Sequence, residues 1–229
     1  MSFSPAPRAI LFDLDGTLAD TAPDLAAAVN LLRTERGLAP TPYDILRPTA
    51  SAGARGMIGA SFGLAPHDDG YEELRQGFFD NYQAAMMVHS TLFDGIPELL
   101  DGIVDAGLVW GIVTNKPARF TDPLLPLIGL DKTACAISGD TTPHPKPHAA
   151  PLLEAAKRIG LAPEQCWYVG DDLRDIQAGH AAGMPTIACQ WGYCGAIEPV
   201  TWGADHLVAT PQDLLELIRA TLKGAALAA

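Results

Sequence analysis

Short apolar runs alternate with amphipathic segments along most of the chain. The first apolar run, residues 8–12, is followed at once by an aspartate, which is typical of a buried strand that ends in a polar loop. Residues 23–36 carry Leu25, Val29 and Leu32 on one helical face, and a glycine follows that segment. The chain is therefore predicted to open as strand, loop and helix.

Pairs of helix and strand recur in the rest of the chain. They are residues 96–106 with 109–113, 120–128 with 134–137, 150–159 with 166–169, and 176–182 with 186–189. Buried strands that alternate with helices predict a parallel sheet covered on both faces. The predicted fold class is α/β, a doubly wound parallel sheet that forms a Rossmann-like core.

Residues 21–92 interrupt this alternation, because they contain no convincing strand. Apolar and aromatic residues recur there at helical spacing, at Tyr71, Leu74, Phe78, Tyr82 and Ala85. We interpret this stripe as the packed face of a helical bundle and not as a ligand-binding face, since amphipathic helices need such a stripe to pack. The predicted organisation is a catalytic core, residues 1–20 and 93–229, with a helical cap inserted as residues 21–92.

Composition and charge narrow the classes of function. The 229 residues are 48% hydrophobic and 18% charged, which excludes a collagen, a coiled coil and a mainly disordered chain. The formal charge of -12 argues against nonspecific nucleic-acid binding and against an anionic membrane surface. No apolar run approaches the roughly 20 residues of a membrane span, and residues 1–7 do not resemble a signal peptide. We therefore expect a cytoplasmic protein.

Polar residues follow the predicted strands at their carboxyl ends. They are Asp13, Asp15 and Thr17 after the first strand, Thr114 and Asn115 after residues 109–113, Lys146 after the third strand, and Asp171, Asp172 and Asp175 after residues 166–169. Each group alone could be an ordinary turn, a helix cap or a solvated loop. Ligands of open α/β sheets bind outside these strand ends, so the four groups together predict one site.

The acidic residues of this set suit phosphoryl transfer to a carboxylate. An aspartate can attack phosphorus and split a difficult hydrolysis into two steps. Its charge repels a phosphate dianion by roughly 4 kcal/mol per charge pair at about 4 Å and an effective dielectric near 20, so a cation is needed. Asp13 and Asp171, with Asp175 or Asp172 behind them, offer the oxygen ligands that Mg²⁺ prefers.

Three further residues complete the predicted chemistry. Lys146 adds a positive charge, and Thr114 adds a hydroxyl donor for a phosphate oxygen. Asp15 can protonate the leaving alkoxide and then deprotonate the attacking water.

Four motifs resemble those of the haloacid dehalogenase superfamily, in the same order. They are residues 12–18 (FDLDGTL), 113–116 (VTNK), 146–147 (KP) and 170–175 (GDDLRD), and the resemblance covers nearly the whole chain. The resemblance implies that Asp13 is the nucleophile and Asp15 the acid/base. It also implies phosphate ligands, which are Thr114, Asn115 and Lys146.

The resemblance also implies a bound Mg²⁺. Its ligands would be Asp13, the main-chain carbonyl of Asp15 and Asp171, with Asp175 acting through water. The dehalogenase branch itself is not expected, because its members lack the second aspartate and need no metal.

The inserted region resembles the helical cap of the phosphoglycolate phosphatase-like branch. Residues 146–149 read KPHA where that branch often has KPxP, and residues 92–95 read LFDG where it often has a Tyr-Pro-Gly connector. Residues 89–90, 110–117, 119–120, 191–193 and 202–205 look closer to N-acetylmuramic acid 6-phosphate phosphatases. Phosphoglycolate phosphatase-like activity is thus the first hypothesis, and the muramic acid phosphate is the alternative substrate.

Arg55 is the candidate specificity residue of the cap. It lies between Gly53 and Gly56, in a segment that resembles the cap loop reaching the substrate in this branch. A guanidinium there could hold a substrate carboxylate as a planar fork. The alternative is a solvated arginine, because charged side chains are mostly exposed.

These patterns predict a Mg²⁺-dependent phosphomonoester hydrolase of a small phosphorylated metabolite, active as a monomer or a homodimer. A sugar phosphomutase of the same superfamily would instead return the phosphoryl group to its substrate. A phosphoreceiver signalling module uses similar residues, but such modules have near half this length and no acid/base two residues after the nucleophile.

Overall fold

The computed structural model describes residues 6–228. In that range the strands are β1 (Ala9–Phe12), β2 (Ala19–Asp20), β3 (Thr91–Leu92), β4 (Val109–Val113), β5 (Ala136–Ile137), β6 (Cys166–Gly170), β7 (Thr186–Cys189) and β8 (His206–Val208). The helices are α1 (Ala22–Glu35), α2 (Tyr43–Leu46), α3 (Gly53–Phe62), α4 (Tyr71–Ala85), α5 (Ile96–Asp105), α6 (Ala118–Leu127), α7 (Ala150–Ile159), α8 (Leu173–Ala182) and α9 (Pro211–Ala228).

A parallel sheet of six strands lies at the centre of the molecule. The strand order is β5, β4, β1, β6, β7, β8, and β1 pairs in parallel with both β4 and β6. Ile10 and Phe12 of β1 pack into one hydrophobic cluster, whereas Ala9 and Leu11 pack into another. Because successive side chains of a strand point to opposite faces, both faces of the sheet are covered. The predicted α/β fold is confirmed.

The inserted region is helical, as the sequence predicts. Helices α1 to α4 lie between β2 and β3, which pair antiparallel with Ala19 opposite Leu92, so the chain leaves and re-enters the sheet domain at one place. Their apolar side chains form a separate cluster that includes Phe78 and Tyr82. Ala85, predicted as part of that stripe, is instead exposed at the end of α4. The division of the chain at 20/21 and 92/93 stays a prediction.

The C-terminal part of the sheet domain contains two elements that the periodicity does not predict. Strand β8 has only one buried residue, Val208, so it shows no continuous apolar run. Helix α9 follows it and packs Leu214, Leu215 and Ile218 into the main cluster. Among residues 6–228, no helix combines the length and the apolar character needed to cross a membrane.

Candidate active site

Three buried carboxylates lie together at the carboxyl ends of β1 and β6. Oxygen atoms of Asp13, Asp171 and Asp175 all lie within 4.8 Å of one another. Asp13 directly follows β1, and its backbone N–H donates to the carbonyl of Val169 in β6 at 2.9 Å. The adjacent parallel strands thus bring residues far apart in the sequence into one cluster, as their positions predict.

Gly16 permits the close approach of the first loop to this cluster. Its φ is +90°, and a Cβ atom there would lie 2.2 Å from the Asp171 carboxylate. A side chain at this position would therefore collide with the cluster and strain the backbone. Asp171 accepts hydrogen bonds from the Thr17 hydroxyl and the Tyr193 backbone N–H, each at 2.9 Å, and from the Ser51 hydroxyl at 3.3 Å.

Lys146 provides the cation inside the carboxylate cluster. Its ammonium lies 2.9 Å from Asp13 Oδ1 and 2.7 Å from Asp175 Oδ1, and it donates to the Tyr168 hydroxyl at 2.9 Å. Tyr168 in turn donates to the carbonyl of Val113 at 2.7 Å. Tyr168 has no place in the sequence prediction, because a tyrosine inside an apolar strand indicates only packing. Its hydroxyl in fact fixes the position of the lysine.

The titration of these groups reflects burial and crowding of like charges. Burial, with the nearby carboxylates of Asp13 and Asp175, raises the pKa of Asp171 to about 8. Burial also raises the pKa of Asp175 to about 7, although the Lys146 ammonium opposes that shift. For Lys146, burial alone would lower the pKa, but the two carboxylates it contacts raise it. The single positive charge of Lys146 therefore does not balance the negative charge of three ionised carboxylates.

Asp172 and Asp175 occupy different environments. Asp172 is the N-cap of α8, accepting the Arg174 backbone N–H at 2.9 Å, and it forms an ion pair with the Arg174 side chain at 2.8 Å. Arg174 outweighs the effect of burial and lowers the pKa of Asp172. Asp175, by contrast, is buried within the carboxylate cluster. Of the two alternatives open in the sequence, Asp175 therefore lies with Asp13 and Asp171.

Thr114 and Asn115 follow β4, but their side chains have different partners. Thr114 is buried at the cavity wall, and its hydroxyl accepts the Lys116 backbone N–H at 3.1 Å. The Asn115 amide accepts the Lys146 N–H and donates to the Lys146 carbonyl, both at 2.9 Å. The Asn115 amide thus braces the Lys146 loop, so direct phosphate binding by Asn115, predicted from the motif, gains no support from this placement.

Asp15 has two partners of its own. Lys116 Nζ lies 2.9 Å from Asp15 Oδ1, and the Thr21 hydroxyl donates to the same oxygen. The Lys116 side chain is buried beneath the insert, with Nζ 4.5 Å from the ring centroid of Tyr82. Burial would lower the pKa of Lys116, but Asp15 raises it. From the sequence, Lys116 is expected to cap a helix or contact the cleft and is given no catalytic role.

A cavity of about 670 Å³ lies between the sheet domain and the insert. Asp13, Asp15, Thr114 and Lys146 line its floor, and Arg55 lies on the side of the insert. Arg55 is exposed in the first turn of α3, so the predicted loop is in fact helical. The aromatic stripe of α4 also contributes to the lining, through Tyr71, Phe78 and Tyr82. These three rings pack the insert and bound the cavity, so the prediction of packing alone was incomplete.

Comparison with known proteins places these features in a family context. A family model described as haloacid dehalogenase-like hydrolase matches residues 10–189. A phosphoglycolate phosphatase of Xanthomonas campestris pv. campestris is 48% identical over 214 residues, covering 92% of this chain and 96% of the relative. An N-acetylmuramic acid 6-phosphate phosphatase of Pseudomonas putida is 43% identical over 219 residues, covering 95% and 98%.

A solved structure agrees with the fold over nearly the whole chain. It is described as a predicted phosphoglycolate phosphatase from Haemophilus somnus 129PT, and it matches with a TM-score of 0.83 at 27% identity. The match covers 93% of this chain and 98% of that structure. The insert and the sheet domain are therefore both shared with it.

Proposed function

Because this chain belongs to the haloacid dehalogenase-like hydrolase family, we propose that it is a Mg²⁺-dependent phosphomonoester hydrolase that forms an aspartyl-phosphate on Asp13. The observation that carries the proposal is the buried cluster of Asp13, Asp171 and Asp175 around the Lys146 ammonium. The resemblance inferred from the motifs is confirmed by the family match, and the relatives are phosphatases by name.

The carboxylate cluster fits a divalent cation of the Mg²⁺ type. Three buried carboxylates within 4.8 Å, with one lysine among them, leave excess negative charge in a site that must admit a phosphate dianion. Asp13, Asp171 and Asp175, with the main-chain carbonyl of Asp15, are the proposed ligands, directly or through water. Such an ion would neutralise charge on the phosphate during transfer.

In the proposed first step, an oxygen of Asp13 forms a bond to phosphorus as the bond to the leaving oxygen breaks. Asp15 gives its proton to that oxygen, and the alcohol departs. In the second step Asp15 takes a proton from water, which attacks the phosphorus and releases phosphate and the Asp13 carboxylate. The ion pair with Lys116 and the Thr21 hydrogen bond hold the Asp15 carboxylate at the cavity floor. We assign Thr114 and Lys146 to the phosphate oxygens.

The proposed substrate class is a small phosphorylated metabolite that carries a carboxylate. Phosphoglycolate and N-acetylmuramic acid 6-phosphate both meet this description, and relatives are named for each. The cavity of about 670 Å³ falls within the roughly 300–1,000 Å³ of pockets that hold drug-sized ligands. This volume has room for the muramic acid phosphate as well as for the two-carbon phosphoglycolate, so we propose both as substrates to be tested.

Residues 21–92 are assigned as the cap in this proposal, with Arg55 directed to the carboxylate. Cytoplasmic location and a monomeric or homodimeric state stay predictions from the sequence. A phosphomutase would convert a sugar phosphate to its isomer without net release of phosphate, so the products separate it from a hydrolase.

The proposed function is tested by phosphate release with Mg²⁺ from 2-phosphoglycolate, N-acetylmuramic acid 6-phosphate and hexose phosphates, compared by kcat/KM. Asp13→Asn serves as the inactive control for contaminating phosphatases. Net release by the native chain and none by Asp13→Asn would support the proposal. Isomerised sugar without released phosphate, or equal release by both proteins, would contradict it.

A further inference from the structure

Arg119 lines the cavity from the side of the sheet domain. It is the second residue of α6, which follows β4 and the loop that contains Thr114. Its guanidinium carbon lies 4.5 Å from the ring centroid of Phe79 in the insert and 4.6 Å from that of Phe120 in α6. Arg119 therefore joins the two domains at the cavity wall, although the site as described assigns it no role.

Among residues 6–228, Arg119, like Arg55, lacks the acidic partner that two other arginines of the cavity lining have. Arg75 also lies over Phe79, at 4.9 Å, but it forms an ion pair with Glu72 at 2.6 Å. Arg174 is paired with Asp172. Within the described part of the chain, no carboxylate oxygen lies within 4.0 Å of a guanidinium nitrogen of Arg119.

Arg119 lies in the first turn of α6, near the positive end of the helix dipole. The N-terminus of a helix carries a partial positive charge, and the first turn of α6 contains no acidic residue. Asp140 accepts the backbone N–H of Ala118 at 2.9 Å, which satisfies a backbone donor without an ion pair to the arginine. The Asp140 carboxylate offsets the partial charge of the helix end, so the group that still lacks a counter-ion among the described residues is the Arg119 guanidinium, and an anionic ligand would supply one.

The aromatic contacts leave Arg119 suited to bind such an anion. Contact with Phe79 and Phe120 restricts the guanidinium, so less freedom is lost on binding. Stacking uses the face of the guanidinium, whereas carboxylates bind the N–H groups along its edge. The Arg119 side chain is exposed at the cavity and accessible to a ligand.

We propose that Arg119 binds the carboxylate of the substrate at the end remote from its phosphate, and so selects phosphorylated acids over phosphate esters that have no carboxylate. This inference rests on the proposed function. The backbone of Arg119 belongs to the same domain as Thr114 and Lys146, whereas its guanidinium is positioned by Phe120 of that domain and by Phe79 of the insert. Arg55, on α3, reaches the same cavity from the insert, so the two guanidiniums would hold one carboxylate from different domains.

The test compares Arg119→Gln with the native chain on substrates that differ in the carboxylate. N-Acetylmuramic acid 6-phosphate is paired with N-acetylglucosamine 6-phosphate, which lacks the lactyl carboxylate, and phosphoglycolate is paired with ethyl phosphate. We expect kcat/KM for the acids to fall at least about tenfold, the effect of losing a hydrogen bond to a charged group. The kcat/KM for the two substrates without a carboxylate should change less than about twofold. Arg158→Gln, a paired arginine on α7, is the matched control.

Equal losses on both members of a pair, or no loss on either, would overturn the assignment. A binding measurement separates failure of the Arg119 assignment from failure of the proposed function. In the Asp13→Asn background, titration calorimetry with each acid should show weaker binding when Arg119→Gln is added, whether or not the native chain releases phosphate. Unchanged binding of both acids would also overturn the assignment.

Discussion

The floor and the outer walls of the cavity differ in how their charged groups are paired. On the floor, the buried Lys146 ammonium lies within 2.9 Å of each of its two buried carboxylate partners. On the walls, Arg55 and Arg119 are exposed, and within residues 6–228 neither forms an ion pair. Paired, buried groups are held in one geometry and suit the chemical step, whereas unpaired, exposed groups remain free to bind a ligand. The comparison predicts that floor variants change turnover of every substrate and wall variants change the choice among substrates.

The largest effect is expected for Asp13→Asn. An amide is a poor nucleophile and a weaker metal ligand at a similar volume, so kcat should fall at least about a thousandfold on all substrates. Circular dichroism should show an unchanged fold. Substantial residual turnover in a folded variant would show that another group attacks phosphorus.

Removal of the metal should affect the floor almost as strongly. EDTA should eliminate phosphate release, and added Mg²⁺ should restore it. Ca²⁺ should not substitute, because it accepts more ligands with looser geometry and could bind both oxygens of Asp13. Full activity of metal-free protein would remove the role assigned to the carboxylate cluster.

Asp171→Ala and Asp172→Ala compare two adjacent aspartates, of which only the first lies in the cluster. Asp171→Ala should raise the Mg²⁺ concentration needed for half-maximal activity by about 10- to 100-fold or more. Asp172→Ala should leave it nearly unchanged and instead lower the free energy of unfolding by about 1 kcal/mol, through loss of the α8 N-cap. If Asp172→Ala raised the Mg²⁺ requirement and Asp171→Ala did not, then Asp172 would be the metal ligand and the assignment of Asp171 would be wrong.

Lys116→Met tests whether the ion pair with Asp15 matters for proton transfer. The variant leaves Asp15 without its cation, and kcat for alkyl phosphates should fall by up to about 100-fold, the lower limit of the range attributed to acid–base catalysis. p-Nitrophenyl phosphate should be less affected, because its leaving group hardly needs a proton. Equal losses on both substrates, with thermal unfolding unchanged, would indicate that Lys116 does not act through Asp15.

The smallest effect is expected for Arg55→Ala on the wall. Arg55 is exposed, so solvent screens its interactions, and kcat/KM for a carboxylated substrate should fall by about tenfold. p-Nitrophenyl phosphate has no carboxylate and should be hydrolysed at the native rate. If both substrates lose equally, Arg55 serves cap closure or folding; if neither changes, its assignment to the substrate is wrong.

The floor was more predictable from the sequence than the walls, for a physical reason. An apolar strand that ends abruptly at Asp13 or Asp171 places that carboxylate at a known edge of the sheet. The ion pair between Lys116 and Asp15 joins residues 101 positions apart, and no local pattern reports it. The stacking of Arg119 on Phe79 depends in the same way on how the insert packs over the sheet domain.

The elements of the fold also differ in how well the sequence predicts them. Strand β4 and helix α7 have the predicted bounds, because their apolar positions are regular and buried. Helix α8 begins three residues before its predicted start, since Asp172 caps it at the end of the motif loop. Strand β8 is mostly outside the core, so its sequence lacks the apolar run that indicates a strand.

The stereochemical course at phosphorus tests the central claim, transfer of the phosphoryl group to Asp13 before water attacks. An isotopically chiral phosphorothioate monoester would be hydrolysed in labelled water and the configuration of the released thiophosphate determined. Each in-line displacement inverts phosphorus, so two successive displacements predict overall retention of configuration. Inversion would mean that water attacks the substrate directly and would contradict the aspartyl-phosphate mechanism.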